Sequence, residues 1–559
     1  MPRPFSSAVA LALAAVISGA APAVSPGRPS DPAVEAAPGT RGMVSSADPL
    51  ATEAGLAVLK RGGNAFDAAV AVAAALNVVE PMMSGMGGYG TILVYDAAKG
   101  RVRFLNASGR IPSGLDPDVF RPPDPRYLEN RRGPAAVSTP GNVHAWEALS
   151  REYGKLAWKG LFMEAVGLAE KGFLLGPGTA AAIDQAFEDF PAHARAFYGT
   201  NGRPLRSGDR LVQTDLARSL RLVAAEGSQA FYGGDIGRAI DAAMRGSGGA
   251  LRLDDLRADR AEWWEPIQVP YRGHVVYTAS PPSTAFPSLV RLGLMSRFDV
   301  ARLGHNSTEF LHRFLEVTKH AFWCRLRYAG DPGVSPPPLD LLLSERYWAD
   351  QAARIDPARA KPFVYPGAKD EPDRHTTHFV VADAAGNIVS ATQTLGNAFG
   401  SRIMPEGTGI WLNNSLAYCT FEPKGNPMDA HPGRRKLSGD CPTIIVRDGR
   451  PWAALGTPGG HTIGQVVPQL VMNLVDFGLD VDAALAAPRV SFIEPDTIAV
   501  ERGLDPRVRD ELEARGHLLR VVGGLGNAQA LTIAYGPDGK PAAFRGAADP
   551  RGGGLAKGR

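Results

Sequence analysis

The sequence predicts an α+β protein in which helices lie over sheets. Three observations carry this. Apolar residues recur at helical spacing through residues 140–330. Short strand-like runs bounded by turn residues crowd the chain after residue 375. Apolar residues make up 44% of the 559 positions, enough for a substantial core. The length exceeds one ordinary core, so two domains or one large intertwined domain are expected. The formal net charge is +3, with the charges scattered and no dense Lys/Arg cluster, so nucleic acid is not an expected partner.

The chain opens MPRPFSSAVALALAAVISGAAPAVSPGRP. Arg3 precedes a short apolar stretch, Ala8 to Ile17, and Ala21-Pro22-Ala23 offers a small-x-small cleavage pattern. This predicts a secretory signal peptide over residues 1–23, hence a periplasmic or secreted protein. Residues 24–41 read as a Pro- and Gly-rich leader. No later run is long and apolar enough for a transmembrane helix. Next, Gly42 onward begins as a strand. Leu56, Leu59, Ala65, Ala68 and Ala69 then mark two helices broken apart at Gly62-Gly63. The small apolar run Ala68 to Leu76 predicts a helix buried on most sides. MSGMGGYGTILVYD reads as a glycine loop entering a strand at Thr91–Tyr95.

PGNVHAWEALSREYGKLAW and NSTEFLHRFLEVTKHAFWCRLRYAG read as helices, the second with Phe310, Phe314, Val317 and Phe322 on one face. YRGHVVYTASPP reads as a strand stopped by prolines. Four prolines between Pro357 and Pro372 mark an exposed linker. Beyond it, THFVVADAAGNIVSATQTL reads as a β-hairpin turning at Asp383–Asn387. GTGIWLNNS, TIIVRDGRPWAALGTPGG and ALTIAYGPDGKPAAFRGAAD add strands, and IGQVVPQLVMNLVDFG adds a helix. Of the three cysteines, Cys324, Cys419 and Cys441, the last two suit either a disulfide or buried free thiols.

The linker ends at EPDRHTTHFVV, with two threonines at the start of a strand. Threonine favours strands for ordinary reasons, and an internal threonine hydroxyl is a weak nucleophile without a base. Cutting the bond before Thr376 supplies one. The freed α-amine, with a pKa of about 8, lies within reach of its own hydroxyl, so one residue becomes nucleophile and base. His375–Thr376 is the expected cleavage site. Thr377 points to the opposite face of the strand. His375 and His378 also invite a metal-amidase reading, but their H-x-x-H spacing is not that of a helical metal pair, and an E-x-x-H companion is missing.

Taken in order, GGNAFDAAVAVAAALNVVEP, SGMGGYG, STPGNVHAWEALSREYGKLAW, YRGHVVYTASPPS, RLRYAGDP, TTHFVVADAAGNIVSATQTL, LGTPGGHTIGQVVPQLVMNLVDFG, AAPRV and GAADPRGGGLA resemble blocks of a γ-glutamyltransferase-family proenzyme, an N-terminal-nucleophile hydrolase. The resemblance runs from about residue 42 to the end. It implies an αββα sandwich, two stacked antiparallel sheets covered by helices. It also implies a large segment (42–375) and a small segment (376–559) that stay associated as one intertwined domain after self-cleavage, with no cofactor. The implied substrate is a γ-glutamyl compound such as glutathione or a related amide, and the acyl acceptor is water or an amine.

By the same resemblance Thr376 is the nucleophile, Thr394 supports it, and the N–H groups of Gly459 and Gly460 hold the oxyanion. Ser438 holds a substrate carboxylate. Departures cluster in the acyl pocket. Ser108 stands where the family has an arginine, with Arg110 two residues on. The family's asparagine falls at Gly396, beside Asn397. Ser415 and Tyr418 replace a glutamine and an aspartate, and Gly439 replaces the second serine. Without the aspartate, weak discrimination between γ-glutamyl and glutaryl amides is expected, unless Glu422, Asp429 or Asp440 takes its place. The same departures keep open an acylase acting on other carboxyl-bearing amides and a non-catalytic binding protein.

Overall fold

The computed structural model describes residues 38–365 and 375–559. The signal-peptide expectation, most of the leader and the residues just before His375 lie outside them. Among the described residues no helix is long and apolar enough to cross a membrane.

Two sheets form the centre. The first has seven strands in the order Leu555–Gly558, Gly42–Ser46, His375–Asp383, Ile388–Gly396, Tyr89–Asp96, Arg101–Ala107 and Glu262–Trp264. The second has six, in the order Pro541–Ala548, Gln529–Tyr535, Arg450–Gly456, Thr443–Arg447, His274–Thr278 and Ile267–Tyr271. All pairings within both sheets are antiparallel. The hairpin turns where expected: Asp383 N–H donates to the Asn387 carbonyl, and Gly386 takes φ 87°, a conformation glycine adopts without steric cost.

Side-chain alternation along His375–Asp383 divides the layers. Phe379 and Val381 face the helices Pro49–Lys60 and Ala65–Val79. Val380 and Ala382 face the second sheet, where they meet Ile444, Ala454, Leu531 and Phe544. All fifteen residues of Ala65–Val79 are buried, as its small side chains predicted. Asn64 and Asp67 form a capping box at its start, worth about 1 kcal/mol. On the far side, helices Phe286–Met295, Thr308–Tyr328 and Ile463–Val475 cover the second sheet. The result is helix, sheet, sheet, helix. A small third sheet, Val490–Ile493, Thr497–Glu501 and Leu518–Val522, falls in a stretch where the sequence reading placed no strands. Cys324, Cys419 and Cys441 are all buried and none forms a disulfide, which decides between the two readings of the cysteines.

Candidate active site

Thr376 enters the strand at a break in its pairing. Thr376 lies opposite Thr394 while His375 lies opposite Gly396, so Leu395 bulges out of register beside the expected scissile bond. The bulge is pinned from outside, because Leu395 N–H donates to the Met83 carbonyl and Asn414 N–H to the Leu395 carbonyl. Thr376 belongs to the row that faces the second sheet. Its Oγ1 donates to Thr394 Oγ1 at 3.2 Å, and Thr394 Oγ1 donates to the His375 carbonyl at 2.5 Å. Gly396 N–H donates to the same Thr394 oxygen at 2.8 Å. One hydroxyl thus links the candidate nucleophile to the carbonyl it would attack, and both threonines are buried.

The neighbouring positions fix the strand from both faces. Thr377 points toward the helices and donates to Glu80 Oε2 at 2.8 Å, at the end of helix Ala65–Val79. Burial, with the nearby Asp48 charge, pushes the Glu80 carboxyl up to about 7, against the pull of the Thr377 hydrogen bond. His378 returns to the inter-sheet face, where Nδ1 meets Thr392 Oγ1 at 2.9 Å. Burial pushes His378 down to about 3, so its ring is neutral at physiological pH. His375 and His378, three apart on a strand, face opposite ways, so they cannot share a metal ion as the H-x-x-H reading requires.

The second sheet brings the glycines. A Cβ placed on Gly456 would lie 2.3 Å from the His378 ring, so the end of strand Arg450–Gly456 sits directly against the row that starts at Thr376. Three residues on, Gly459 and Gly460 adopt φ 136° and 59°, then lead through a short turn into helix Ile463–Val475. Backbone N–H groups at a helix's positive end suit a developing negative charge. Gly460, Gly439, Tyr418 and His461 share one cavity wall. A Cβ on Gly439 would lie 3.7 Å from the Gly460 carbonyl oxygen, which joins the two glycine segments.

Ser438 is fully buried beside this wall. Its carbonyl accepts from Thr284 N–H at 2.7 Å and its Oγ from Asp440 N–H at 3.2 Å. Asn397 lies with His375, Arg132 and Arg402 around a separate depression. Ser415 is turned into the scaffold: its Oγ donates to Ser138 Oγ at 2.6 Å and its N–H to Asn413 Oδ1 at 3.1 Å. Arg110 pairs with Glu262 at 2.7 Å and with Asp259 at 4.0 Å, and it does not line the Gly439–Gly460 cavity. The three carboxylates named as replacements for the missing aspartate separate clearly. Asp429 is held by Arg121, and Glu422 is exposed. Asp440 is buried near Lys436, burial raising its pKa and the Lys436 charge opposing the rise.

Four charged residues around the site escaped the sequence reading: Glu80, Arg291, Arg325 and Lys436. Arg291 and Arg325 line the same cavity as Gly460. Lys436 Nζ sits 3.5 Å from the Tyr89 ring centre and 5.0 Å from that of Tyr418. The one local signal was Arg291 itself, a charge inside the apolar helical run FPSLVRLGLM.

A strand-leading threonine facing the gap between two antiparallel sheets, with helices outside, defines the N-terminal-nucleophile hydrolase fold. The comparisons agree. The structure resembles a cephalosporin acylase from Bacillus halodurans with a TM-score of 0.86 at 29% identity, covering 95% of this chain and 98% of that one. The chain belongs to the gamma-glutamyltranspeptidase family, whose model matches residues 51–558. Relatives include the glutathione hydrolase proenzyme of Escherichia coli K12, 34% identical over 531 residues, with 91% of this chain and 90% of the relative covered. The acylase ACY 1 proenzyme of Pseudomonas sp. V22 is 37% identical over 520 residues, covering 90% of this chain and 91% of the relative.

Proposed function

We propose that the protein is a secreted, self-cleaving amide hydrolase and acyltransferase that works through Thr376 on γ-glutamyl or closely related carboxyl-bearing amides. The observation that carries this is the chain Thr376 Oγ1, Thr394 Oγ1, His375 carbonyl. In the precursor, Thr376 Oγ1 attacks the His375 carbonyl carbon. Its proton passes to Thr394, whose own proton goes to the carbonyl oxygen it already contacts. The C–N bond then breaks, the amide nitrogen takes up a proton, and an ester joins His375 to the Thr376 hydroxyl. Water cleaves that ester and leaves segments 42–375 and 376–559 associated.

In the mature protein the freed Thr376 amine accepts the hydroxyl proton as Oγ1 attacks the substrate amide. Gly459 and Gly460 N–H groups stabilise the oxyanion. The amine portion leaves with a proton, and the acyl ester passes to water or to an amine. Glutathione-type γ-glutamyl donors are the main reading, and the acylase reading is supported by the Tyr418 and Ser415 replacements. The test is p-nitroaniline release from γ-glutamyl and glutaryl p-nitroanilides. The mature protein should release it and Thr376→Ala should not; equal release by both would overturn the proposal.

A further inference from the structure

Two buried histidines from distant parts of the chain meet nitrogen to nitrogen. His312 Nδ1 lies 2.9 Å from His517 Nε2. His312 sits on helix Thr308–Tyr328, and Glu316 follows one turn later on the same face. His517 comes just after helix Pro506–Ala514, where its N–H donates to the Leu512 carbonyl. All three side chains are buried, and one ligand atom from each lies within 4.8 Å of the other two.

His312 is already oriented as a metal ligand would be. Its Nε2 faces the Asp356 carbonyl at 2.8 Å. A carbonyl only accepts, so Nε2 carries the proton and Nδ1 presents a lone pair. Ligating histidines are held by this kind of outer bond. As the rings stand, His517 Nε2–H donates to that lone pair. Shifting the proton to His517 Nδ1 leaves two facing nitrogens that both offer lone pairs. Glu316 has a similar outer shell. Lys319 Nζ holds Oε1 at 2.6 Å, while Oε2 receives the Lys361 N–H at 3.3 Å, a long contact. The neighbouring cations Arg313 and Arg515 are both paired with Glu309. On tetrahedral zinc, two nitrogens each about 2.0–2.1 Å from the ion are about 3.3 Å apart. The histidine pair reaches that spacing by opening about 0.4 Å, and rotation of the flexible Glu316 side chain brings Oε2 in.

We infer that His312, Glu316 and His517 form a site for a zinc-class divalent cation, with two imidazole nitrogens, one carboxylate oxygen and a water as ligands. The two nitrogens favour zinc over magnesium or calcium, which take oxygen ligands. His312 and Glu316 belong to segment 42–375 and His517 to segment 376–559, so the ion would tie the two segments together. The site itself is independent of the proposed function; its role in joining two separate chains rests on the self-cleavage in that reading.

The test titrates zinc chloride into untagged, EDTA-treated mature protein by calorimetry, with a thermal melt alongside. One zinc should bind per protein, and Tm should rise by a few degrees at about a hundredfold excess over Kd. Magnesium and calcium chlorides should do neither. His517→Gln and Glu316→Gln should each weaken zinc binding by at least about tenfold. Self-cleavage into two fragments shows that these variants fold. X-ray absorption of the native zinc complex needs no variant and should show two imidazole nitrogens at about 2.0–2.1 Å. Absence of zinc binding, sulfur ligation, or undiminished binding in both variants would overturn the site. Zinc that binds without raising the Tm of the cleaved protein would overturn the joining role. Thr376→Ala, which should stay uncut, should bind zinc as tightly as the mature protein, so failure of the hydrolase reading and failure of the metal site are separate results.

Discussion

Replacing Thr394 with valine keeps the shape of the side chain and removes one oxygen. That oxygen makes three contacts: it donates to the His375 carbonyl at 2.5 Å, accepts from Thr376 Oγ1 at 3.2 Å and accepts from Gly396 N–H at 2.8 Å. The first contact strengthens as the carbonyl becomes an oxyanion, and one such donor is worth about 3 kcal/mol, or about a hundredfold to a thousandfold in rate. The second supplies the route for the Thr376 proton, so its loss slows the step further. The third has a different consequence. An unpaired buried Gly396 N–H costs about 1–3 kcal/mol of stability, which predicts a Tm lower by a few degrees. Self-cleavage of Thr394→Val should therefore be at least about a thousandfold slower than in the native chain. The assay is a time course of fragment appearance after cell-free synthesis, with circular dichroism of the uncut variant to show that it folds. Thr394→Ser retains the hydroxyl and should cleave within about tenfold of the native rate. Cleavage of Thr394→Val within tenfold of native would refute the relay.

Gly460→Val places a β-branched side chain at φ 59° and against the acyl carbonyl. It should fold but process poorly or lose about a hundredfold in kcat, measured on p-nitroanilides; normal turnover would remove the TPGG segment from the mechanism. Glu80→Gln should change how stability depends on pH. The folded carboxyl titrates at about 7 instead of 4.5, so the folded state holds the extra proton between those values. Glu80 then costs stability as pH rises through that window, by about 3 kcal/mol in all. The variant should gain Tm relative to native at about pH 8 and show little gain at about pH 4; parallel curves would place Glu80 outside this account.

The local half of the site was legible. The Thr-Thr pair, the hairpin after it and the double glycine before a helix each have a backbone reason to look as they do. Alternation along TTHFVV placed Thr376 and Thr377 on opposite faces, as their hydrogen bonds to Thr394 and Glu80 show. What stayed hidden depends on distant segments. Glu80 and Thr377 are 297 positions apart and meet because a buried helix ends beneath the strand. Arg110 lies close in sequence to the position of the family's arginine, yet Glu262 and Asp259 hold it elsewhere. Ser415 looked available for a substrate, but Ser138 takes its hydroxyl. Arg291 could be seen as a misfit in an apolar run, but only the packing of three helices shows that, among the described residues, its side chain meets the Gly464 carbonyl and Thr318 and no carboxylate. Pairing of charges is a property of the folded surface that faces them, and a single chain read in order does not contain it.

The central claim is that Thr376 becomes a chain terminus through its own hydroxyl. Intact-mass measurement with N-terminal sequencing of the purified protein tests this most directly. The account predicts two associated chains, the smaller beginning Thr-Thr-His-Phe, and a single uncut chain for Thr376→Ala. A smaller chain beginning at Thr377, or an active protein that remains in one piece, would contradict it.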